Sequence, residues 1–373
     1  MNKIFLFLAA AALAACTPTV KVEVRNPTDT DRTHETIEIA WSEIASAEGV
    51  TADNVVVFDA AGTEIPSQVI YAGEEEPQAL LFQTGAAAGE TLRFTIRAGK
   101  RSTYPAKAFG RYVPERYDDY AWENNLVAYR LYGPALETSP EQLITPGIDV
   151  WVKCSEKLVI DDWYATGDYH HNYGDGMDCY KVGVTLGGGA SLPITNGAFW
   201  PMGHNYLTQQ TLDNGPIRTT VQLTYAPFNV DGTAVTLTKI ISLDADSRFN
   251  RMENIYEGLF DEMPVAAGFV RHDVKEIRTG ENWMALVEPA SDSAQPEEDG
   301  DIFLGIVLED AAMVPDTLGH AVAVIPVKSG EPMVYYSGSG WSQGGVPDMK
   351  SWLAEIAQQQ AKIAQPLEVT IRK

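Results

Sequence analysis

Short segments in which apolar and polar residues alternate are the feature that most limits how this chain can fold. Between residues 20 and 105 six such segments are separated by polar turns, and in one of them Leu92, Phe94 and Ile96 alternate with threonine and arginine. A period of two places successive side chains on opposite faces of a strand, so one face is buried and the other is wet. Several strands at this spacing predict a small antiparallel β-sandwich over residues 16–105.

The pattern in the rest of the chain also predicts β-structure. The segment from Arg97 to Asp119 has no clean period, and we interpret it as a linker. Longer strand-like segments follow from Trp122 onward, which predicts a large antiparallel double sheet over residues 106–373. One late helix is expected between an N-capping Asp348 and a terminating Pro366. Its apolar face is formed by residues at helical spacing, namely Met349, Trp352, Leu353, Ile356 and Ile363. The predicted fold class is therefore mainly all-β, with one C-terminal helix.

The N-terminus predicts export. Residues 1–15 carry one early lysine and then an apolar run, which is typical of a signal peptide. The run is too short for an ordinary membrane span. It ends in Leu-Ala-Ala before Cys16, which matches a bacterial lipobox, where the cysteine becomes lipidated. We therefore expect a lipid-anchored, extracytoplasmic protein of the cell envelope, at the periplasmic or outer-membrane surface.

Charge and cysteine content narrow the classes of partner. The chain has 51 acidic against 27 basic residues and a formal net charge of −24. No basic stripe is present to meet phosphates, which argues against a nucleic-acid partner. A local basic pocket could still bind an anionic group.

Cys154 and Cys179 follow the lipobox cysteine without zinc-finger spacing, and they could form a disulfide or stay as free thiols.

Histidine, aspartate and tyrosine are concentrated between Asp168 and Tyr180. Glycines flank Asp175 and should let the chain turn sharply, so that this carboxylate points outward. The residues after it alternate like a strand, which should turn Asp178 and Tyr180 toward the same cleft. We therefore expect the catalytic side chains in this segment: His170, His171, Asp175, Asp178 and Tyr180.

Three chemistries fit these residue types. β-Elimination on a uronate needs a cation for the carboxylate, which Arg130 could supply, and histidine and tyrosine suit the two proton transfers. Hydrolysis needs two carboxyl groups, such as Asp175 with Asp178, or either of them with Glu123. No cofactor is required by either reaction. Calcium is an open alternative, although the spacing is not that of an EF-hand, because hard oxygens are offered by Asp168, Asn172, Asp175 and Asp178.

Other polar and aromatic residues are expected to contact the substrate. An exposed indole, such as that of Trp341 in a glycine-rich loop, could stack on a sugar ring, and packing in the core is the alternative for it. The expected substrate-binding residues are Trp122, Glu123, Asn124, Arg130, Tyr173, His204, His272 and Trp341.

Four segments, in this order, resemble the bacterial domain-of-unknown-function family 4861: "VPERYDDYAWENNLVAYRLYGPAL", "GIDVWVK", "DYHHNYGDGMDCYKVGVTLGGG" and "YYSGSGWSQGGVPD". The likeness covers most of residues 20–373. That family is common in bacteria that degrade polysaccharides, often beside enzymes for pectin-like or other uronate-containing glycans, so the resemblance implies a carbohydrate partner. It also implies a body similar to the supersandwich of galactose mutarotases and several polysaccharide lyases. This chain departs from the pattern at Tyr173, where histidine is implied, and at Asp175, where glutamate is implied.

The sequence-based expectation is therefore an extracytoplasmic lipoprotein that acts on oligosaccharides from uronate-containing polysaccharides. Histidines and tyrosines that cluster with aspartates favour an enzyme over a binding protein, and a lyase over a glycoside hydrolase. Hydrolysis, mutarotase-like isomerisation and a non-catalytic glycan-binding surface lipoprotein are the alternatives.

Overall fold

The computed structural model describes residues 19–45, 47–290, 292, 295 and 298–372. The predicted signal peptide and Cys16 lie outside these residues. In the part of the chain that is described, no helix has the length and apolar character needed to cross a membrane. The described chain is mainly β, and its long-range contacts come largely from antiparallel strand pairs, so the predicted fold class is confirmed.

The first part of the chain forms a small sandwich. Two sheets pack face to face, with Val22 and Ile96 from one and Ile37 and Phe82 from the other in a shared core. The alternation in the sequence therefore produces the predicted buried and exposed faces. The elements are β1 (Val20–Arg25), β2 (Arg32–Ala40), α1 (Trp41–Ile44), β3 (Val55–Phe58), β4 (Glu64–Ile65), β5 (Ser67–Ile70), β6 (Ala79–Ala86) and β7 (Thr91–Ala98).

The second part is the larger body of the molecule. Its elements are β8 (Ala108–Val113), β9 (Asp119–Asn124), β10 (Val127–Leu131), β11 (Ile148–Lys153), α2 (Ile160–Thr166), β12 (Gly176–Asp178), β13 (Gly188–Thr195), β14 (Ala198–Phe199), β15 (Tyr206–Asn214), β16 (Arg218–Val230), β17 (Thr233–Asp244), β18 (Phe249–Gly258), β19 (Glu262–Val270), β20 (Glu276–Gly280), β21 (Trp283–Pro289), β22 (Asp301–Val307), β23 (Ala312–Thr317), β24 (His320–Lys328), β25 (Pro332–Trp341) and α3 (Met349–Ala364). A last strand, β26 (Glu368–Arg372), follows α3.

Two layers of sheet build this body. One layer is an eight-stranded sheet in the order β15-β16-β17-β18-β25-β22-β21-β20. The other layer consists of two five-stranded sheets, β12-β11-β10-β9-β8 and β14-β13-β19-β24-β23. Side chains from all three sheets share one large apolar core, which makes this the predicted large double sheet.

The chain's two ends meet in the first sandwich. The C-terminal strand β26 pairs with β1, with Val22 opposite Ile371, and so completes a sheet in the order β26-β1-β7-β3-β4. The predicted division of the chain at residue 105 assigned this strand to the body. Strand β8 also lies within the predicted linker, so only residues 99–107 connect β7 to β8. Both corrections have the same cause, since pairing partners far apart in sequence leave no local signal.

The late helix is α3, and it begins at the predicted cap. Asp348 accepts a hydrogen bond from the Ser351 N–H at 2.8 Å. Trp352 and Ile356 are buried against the outer face of the eight-stranded sheet, and the Trp352 indole donates to the Leu304 carbonyl at 3.0 Å. The predicted apolar face therefore packs as expected.

Candidate active site

Strand alternation decides which side chains of the sheet β8–β12 reach the candidate site. On β10, Tyr129 points into the core and Arg130 points to the outer face. In the strand register Arg130 lies opposite Asp149 on β11, and Trp151 lies opposite Asp178 on β12. The period of two thus gathers a guanidinium, two carboxyl groups and an indole on one face of the sheet.

Arg130 is the centre of this group. Its Nε lies 2.9 Å from Asp149 Oδ2, and its Nη2 donates both to Asp149 and, at 3.1 Å, to Asp178 Oδ2. Its Nη1 is 3.8 Å from Asp119 Oδ2. None of these side chains is more than 6% exposed. One buried cation therefore faces three carboxyl groups. We call Arg130, Asp119, Asp149 and Asp178 the arginine cluster.

Burial shifts the pKa of two of these carboxyl groups. Burial raises the pKa of Asp119 to about 6. Burial, with repulsion from Asp149, raises the pKa of Asp178 well above its usual range. Burial alone would lower the pKa of Arg130. The opposing effect of Asp149, Tyr132 and Asp178 is larger and raises this pKa well above its usual value, so the guanidinium keeps its charge. Burial and the neighbouring carboxyl group thus disfavour the ionised form of Asp178.

Aromatic rings enclose the guanidinium. Its central carbon lies 4.9 Å from the ring centroid of Tyr132, 5.4 Å from that of Trp151 and 5.7 Å from that of Tyr169. Trp151 and Tyr169 are stacked at 5.2 Å. These contacts hold the cation by cation–π attraction and keep water away from the cluster.

Several buried polar atoms of this cluster have no hydrogen-bond partner among the described residues. They are Asp119 Oδ2, Asp149 Oδ1 and the hydroxyl of Tyr164, a residue of α2 whose ring lies 5.4 Å from that of Trp151. Native proteins satisfy nearly all buried polar atoms, because each unsatisfied atom costs free energy. Their concentration next to a carboxyl group with a raised pKa is typical of a functional site.

His170 connects the cluster to solvent. Its Nδ1 lies 3.2 Å from the Asp178 carbonyl oxygen and 3.8 Å from Asp178 Oδ2, and its ring contacts that of Tyr169 at 4.9 Å. The side chain is 53% exposed, and Nε2 makes no hydrogen bond within the described part of the chain. The structure therefore brings three predicted site residues together: His170, Asp178 and Arg130.

The neighbouring His171 belongs to a separate group on the outer side of the same loop. Its Nδ1 lies 3.0 Å from Asp168 Oδ1, and the Tyr173 hydroxyl donates to Asp168 Oδ2 at 2.7 Å. The hydrogen bonds from Tyr173 and His171 lower the pKa of Asp168. The adjacent histidines therefore diverge, and only the first of them contacts the arginine cluster.

Asp175 points outward, as predicted. Gly176 beside it has φ +124°, and a Cβ at this residue would lie 2.0 Å from the Val152 carbonyl oxygen, so the turn requires glycine. Asp175 accepts a hydrogen bond from Ser155 Oγ at 2.7 Å, and this bond, aided by Lys157, lowers its pKa despite slight burial. A surface cleft of about 550 Å³ lies against Asp168, Asp175, Lys157, Tyr173 and the outer side of α2.

Tyr180 does not share a cleft with Asp178, which corrects the sequence-based prediction. Residues 179–187 are irregular rather than a strand. The Tyr180 hydroxyl is buried and donates to the Gly187 carbonyl at 3.0 Å, and its ring meets that of His272 edge-on at 5.3 Å. His272 Nδ1 lies 2.7 Å from Glu288 Oε1; burial alone lowers the pKa of this imidazole, but Glu288 raises it overall. Tyr180 and His272 thus form a buried contact, and neither side chain hydrogen-bonds to a side chain of the arginine cluster.

Glu123 has a structural role instead of the expected substrate contact. Its buried carboxylate pairs with Lys153 Nζ at 2.7 Å and accepts the backbone N–H groups of Val159 and Ile160 at the start of α2. Burial raises the pKa of Glu123 and lowers that of Lys153. This pair attaches α2 to the sheet and so places Tyr164 over the arginine cluster.

Three more predicted substrate contacts are buried, which corrects them. The Trp122 indole donates to Asn250 Oδ1 in the core, Asn124 donates to the Asp244 carbonyl, and the Trp341 indole donates to the Asp299 carbonyl. Neither indole leaves a face on which a sugar ring could stack. His204 is exposed, but it pairs with Glu137 at 2.8 Å and makes no contact with the cluster.

The structure also gives the positions of the two cysteines and of the residues considered as calcium ligands. Cys154 is exposed and Cys179 is buried, and both are free thiols. Across the described residues, no group of three or more histidine, cysteine, aspartate or glutamate side chains is arranged to hold a metal ion. The oxygen atoms considered for calcium are spread over both sides of the loop.

Sequence reasoning missed half of the arginine cluster and most of its aromatic walls. Asp149 and Trp151 stand in "IDVWVK", an otherwise apolar strand, and Asp119 opens β9. A carboxylate within an apolar strand is costly to bury, so it was a usable signal of function. The missed residues are Asp119, Tyr132, Asp149, Trp151, Tyr164 and Tyr169.

Comparison with known sequences gives one family and one full-length relative. The family model described as "Domain of unknown function (DUF4861)" matches residues 24–369. "Uncharacterized protein P7" of Formosa agariphila is 30% identical over 398 aligned positions, which cover 98% of each chain.

Comparison with solved structures gives similar folds. An alpha-mannosidase from Enterococcus faecalis V583 superimposes with a TM-score of 0.54 at 7% identity, over 95% of this chain and 46% of that one. A protein in the glycosyl hydrolase family 38 from Enterococcus faecalis gives a TM-score of 0.53 at 8% identity, over 95% and 47%. This chain thus spans slightly less than half the length of either protein, and at these identities the likeness concerns the fold alone.

Proposed function

Because this chain belongs to the DUF4861 family and folds like part of two glycosidase-class proteins, we propose that it is an enzyme that cleaves oligosaccharides from uronate-containing polysaccharides. The observation that carries the proposal is the arginine cluster, where the half-exposed His170 adjoins Asp178, a buried carboxyl group whose pKa is raised by burial. The uronate class of substrate is the expectation that the family resemblance implies.

The cluster supports hydrolysis better than the elimination expected from the sequence. Elimination needs a cation that is free to neutralise the uronate carboxylate. Arg130 is only 6% exposed and its nitrogens already donate to Asp149 and Asp178, so they are not free to bind a substrate carboxylate. Hydrolysis instead needs a proton donor that reaches the leaving oxygen, and the half-exposed His170 beside Asp178 is placed to be that donor.

We assign the proton transfers to the residues at the solvent edge. His170 in its imidazolium form donates the Nε2 proton to the leaving glycosidic oxygen and keeps its Nδ1 proton on the Asp178 carbonyl oxygen, which orients the ring; Nε2 then regains a proton from solvent. Asp168, whose pKa is lowered and whose carboxylate is within electrostatic reach of His170, takes a proton from the attacking water. The bond from the anomeric carbon to the leaving oxygen breaks as the water oxygen attaches.

The second candidate function is glycan binding without catalysis. It is favoured by the Tyr173 ring, which is 76% exposed beside the 550 Å³ cleft. A ring so placed could stack on a sugar, and the cleft's carboxylates would accept hydrogen bonds from hydroxyl groups. A binder needs no proton transfer, so the two functions differ in their dependence on His170.

Incubation of the mature protein with pectic and algal oligosaccharides tests the proposal. Hydrolysis creates new reducing ends, whereas elimination creates an unsaturated uronate that absorbs ultraviolet light. His170→Ala and Asp178→Asn should each lower turnover about 100-fold or more. The exposed Glu156→Gln, on the segment before α2, serves as the matched control and should not change turnover. An unsaturated product would refute hydrolysis, and binding without any product would favour the second function.

We further propose that the protein is lipid-anchored at Cys16 on the extracytoplasmic side of the envelope. Support comes from the lipobox sequence and from the start of β1 at Val20, which leaves a short tether. In cells supplied with radiolabelled palmitate, the wild type should be labelled and found in the membrane fraction. Cys16→Ser should be unlabelled, and a labelled variant or an unlabelled wild type would contradict the proposal.

A further inference from the structure

Two adjoining cavities lie between the first sandwich, the outer face of the eight-stranded sheet and α3. Their volumes are about 180 Å³ and about 570 Å³, and both are lined by Arg251, Tyr336 and Lys362. Shared walls make them one continuous groove, which we call the α3 groove. Its larger part is within the usual size range of small-molecule sites, about 300–1,000 Å³.

The α3 groove is remote from the candidate active site. Its floor is the outer face of β18 and β25, where Arg251 lies directly opposite Tyr336 in the strand register. The arginine cluster lies on the outer face of the other layer, on β9 to β12. Among the described residues none lines both places, so a ligand could occupy each of them independently.

Cationic groups converge where the two cavities meet. Lys362 Nζ donates to the His34 carbonyl at 2.7 Å, and no carboxylate of the described chain lies within ion-pair distance of it. Arg251 pairs with Glu253 through one nitrogen, and its side chain stays 41% exposed. Such a junction is unusual in a chain with 51 acidic and 27 basic residues. It would attract an anion that the rest of the surface repels.

The walls of the groove suit a sugar chain better than a small inorganic anion. The narrow end adds amide and hydroxyl groups, including Gln83, Ser242 and Gln359, and its two carboxylates are already paired, Glu35 with Arg32 and Asp244 with Arg218. The wide end adds apolar side chains such as Ile325 and Val334, and the acidic residues Glu309 and Asp310 also line it. A cationic centre, an aromatic ring, hydrogen-bonding groups and apolar surface together match a ring that carries both hydroxyl groups and a carboxylate.

We propose that the α3 groove is a second, non-catalytic binding site for a uronate-bearing glycan. Lys362 and Arg251 bind a carboxylate of the chain, and the Tyr336 ring stacks on the neighbouring sugar. The site holds the polymer on the protein while a chain end reaches the arginine cluster. The choice of uronate glycans rests on the proposed function, whereas the anionic character of the ligand rests on the groove itself.

Affinity electrophoresis of the mature protein tests this inference. Gels contain polygalacturonate or alginate as anionic probes, and neutral galactan as the comparison. The wild type should be retarded by an anionic polymer, and Lys362→Ala and Arg251→Ala should each weaken binding roughly 10-fold, the effect of losing one charge-assisted hydrogen bond. Lys362→Arg should keep most of the affinity, and Lys100→Ala, an exposed site in the first sandwich, should behave as the wild type. Turnover of short oligosaccharides should not change in any of these variants.

The outcomes separate this inference from the proposed function. The groove proposal is overturned if the wild type is not retarded by either anionic polymer, if galactan retards it equally, or if both alanine variants bind normally. Retardation that depends on Lys362 without turnover of any oligosaccharide would instead sink the proposed enzyme and leave the groove proposal standing. Circular dichroism and thermal unfolding of each variant exclude misfolding as the cause of lost binding.

Discussion

Lys239 offers a direct test of how the core of the body is built. It stands in the middle of β17, where Leu237 and Ile241 on the same face are buried in the core. Its Nζ is buried without a hydrogen-bond partner among the described residues, and the nearest ring, that of Tyr225, lies 5.2 Å away. Burial lowers the pKa of Lys239 to about 7. A charge at this position has only the face of the Tyr225 ring beside it and no carboxylate partner among the described residues.

The cost to stability follows from that pKa. A pKa about 3.5 lower than the usual value of the side chain corresponds to about 5 kcal/mol, at ~1.36 kcal/mol per pKa unit. Between about pH 7 and pH 10.5 the unfolded chain binds the proton and the folded chain does not, so stability rises with pH over this window. Below about pH 7 both states are protonated, and the full cost is present. Lys239→Met removes the charge and fills a similar volume.

The variant should therefore be more stable than the wild type by about 5 kcal/mol at pH 6, and by less than about 1 kcal/mol at pH 10. Guanidinium unfolding of both proteins at pH values from 6 to 10 measures this difference. Lys100→Met, at an exposed site, is the control and should show no such dependence. A difference that stays constant with pH, or a variant that is less stable at pH 6, would refute the assignment of a neutral buried lysine.

Three other predictions concern the candidate site and its supports. Asp178→Asn should be more stable than the wild type at pH 8 and similar to it at pH 3. The pKa of Asp178 is raised in the folded state, so the wild type loses stability as the pH rises, whereas the variant does not. Unfolding of both proteins at pH 3 and pH 8 measures the difference. Glu123→Gln leaves Lys153 buried without its anion and should cost about 3–5 kcal/mol in urea unfolding at pH 7. Gly133→Ala would place a Cβ 1.8 Å from the Asp118 carbonyl oxygen and should lower stability by about 1–3 kcal/mol in thermal unfolding.

Each of these has a contrary result. Lower stability of the Asp178 variant at pH 8 would mean that the native carboxyl group is ionised. An unchanged Glu123 variant would mean that Lys153 reaches another anion or water. A Gly133 variant as stable as the wild type would show that the loop leading into β9 can move aside.

The candidate site shows where local sequence patterns suffice. Alternation identified the strands, the helical spacing identified α3 with its Asp348 cap, and paired glycines identified the turn at Asp175. The concentration of polar residues pointed to the loop that contains His170 and Asp178. All of these are local properties, because backbone conformation and the face of a side chain depend on neighbours a few residues away.

Other parts of the site depended on pairings that no local pattern specifies. The register between β10 and β11 sets Asp149 against Arg130, and the order of strands buries Trp122 and Trp341 where the sequence permitted an exposed indole. When the strand alternation was extended beyond Asp178, it predicted the wrong environment for Tyr180, because the chain leaves the sheet after Asp178.

The sequence by itself determined that this protein is a β-rich chain, with two predicted regions, one late helix and a polar loop of catalytic residue types. Only the tertiary structure decided that the last strand returns to β1, that three carboxyl groups surround one arginine, and that burial raises the pKa of Asp178. The physical reason is the range of the interactions. Strand identity is set by side chains two residues apart, whereas pairing, burial and pKa values are set by groups brought together from distant parts of the chain.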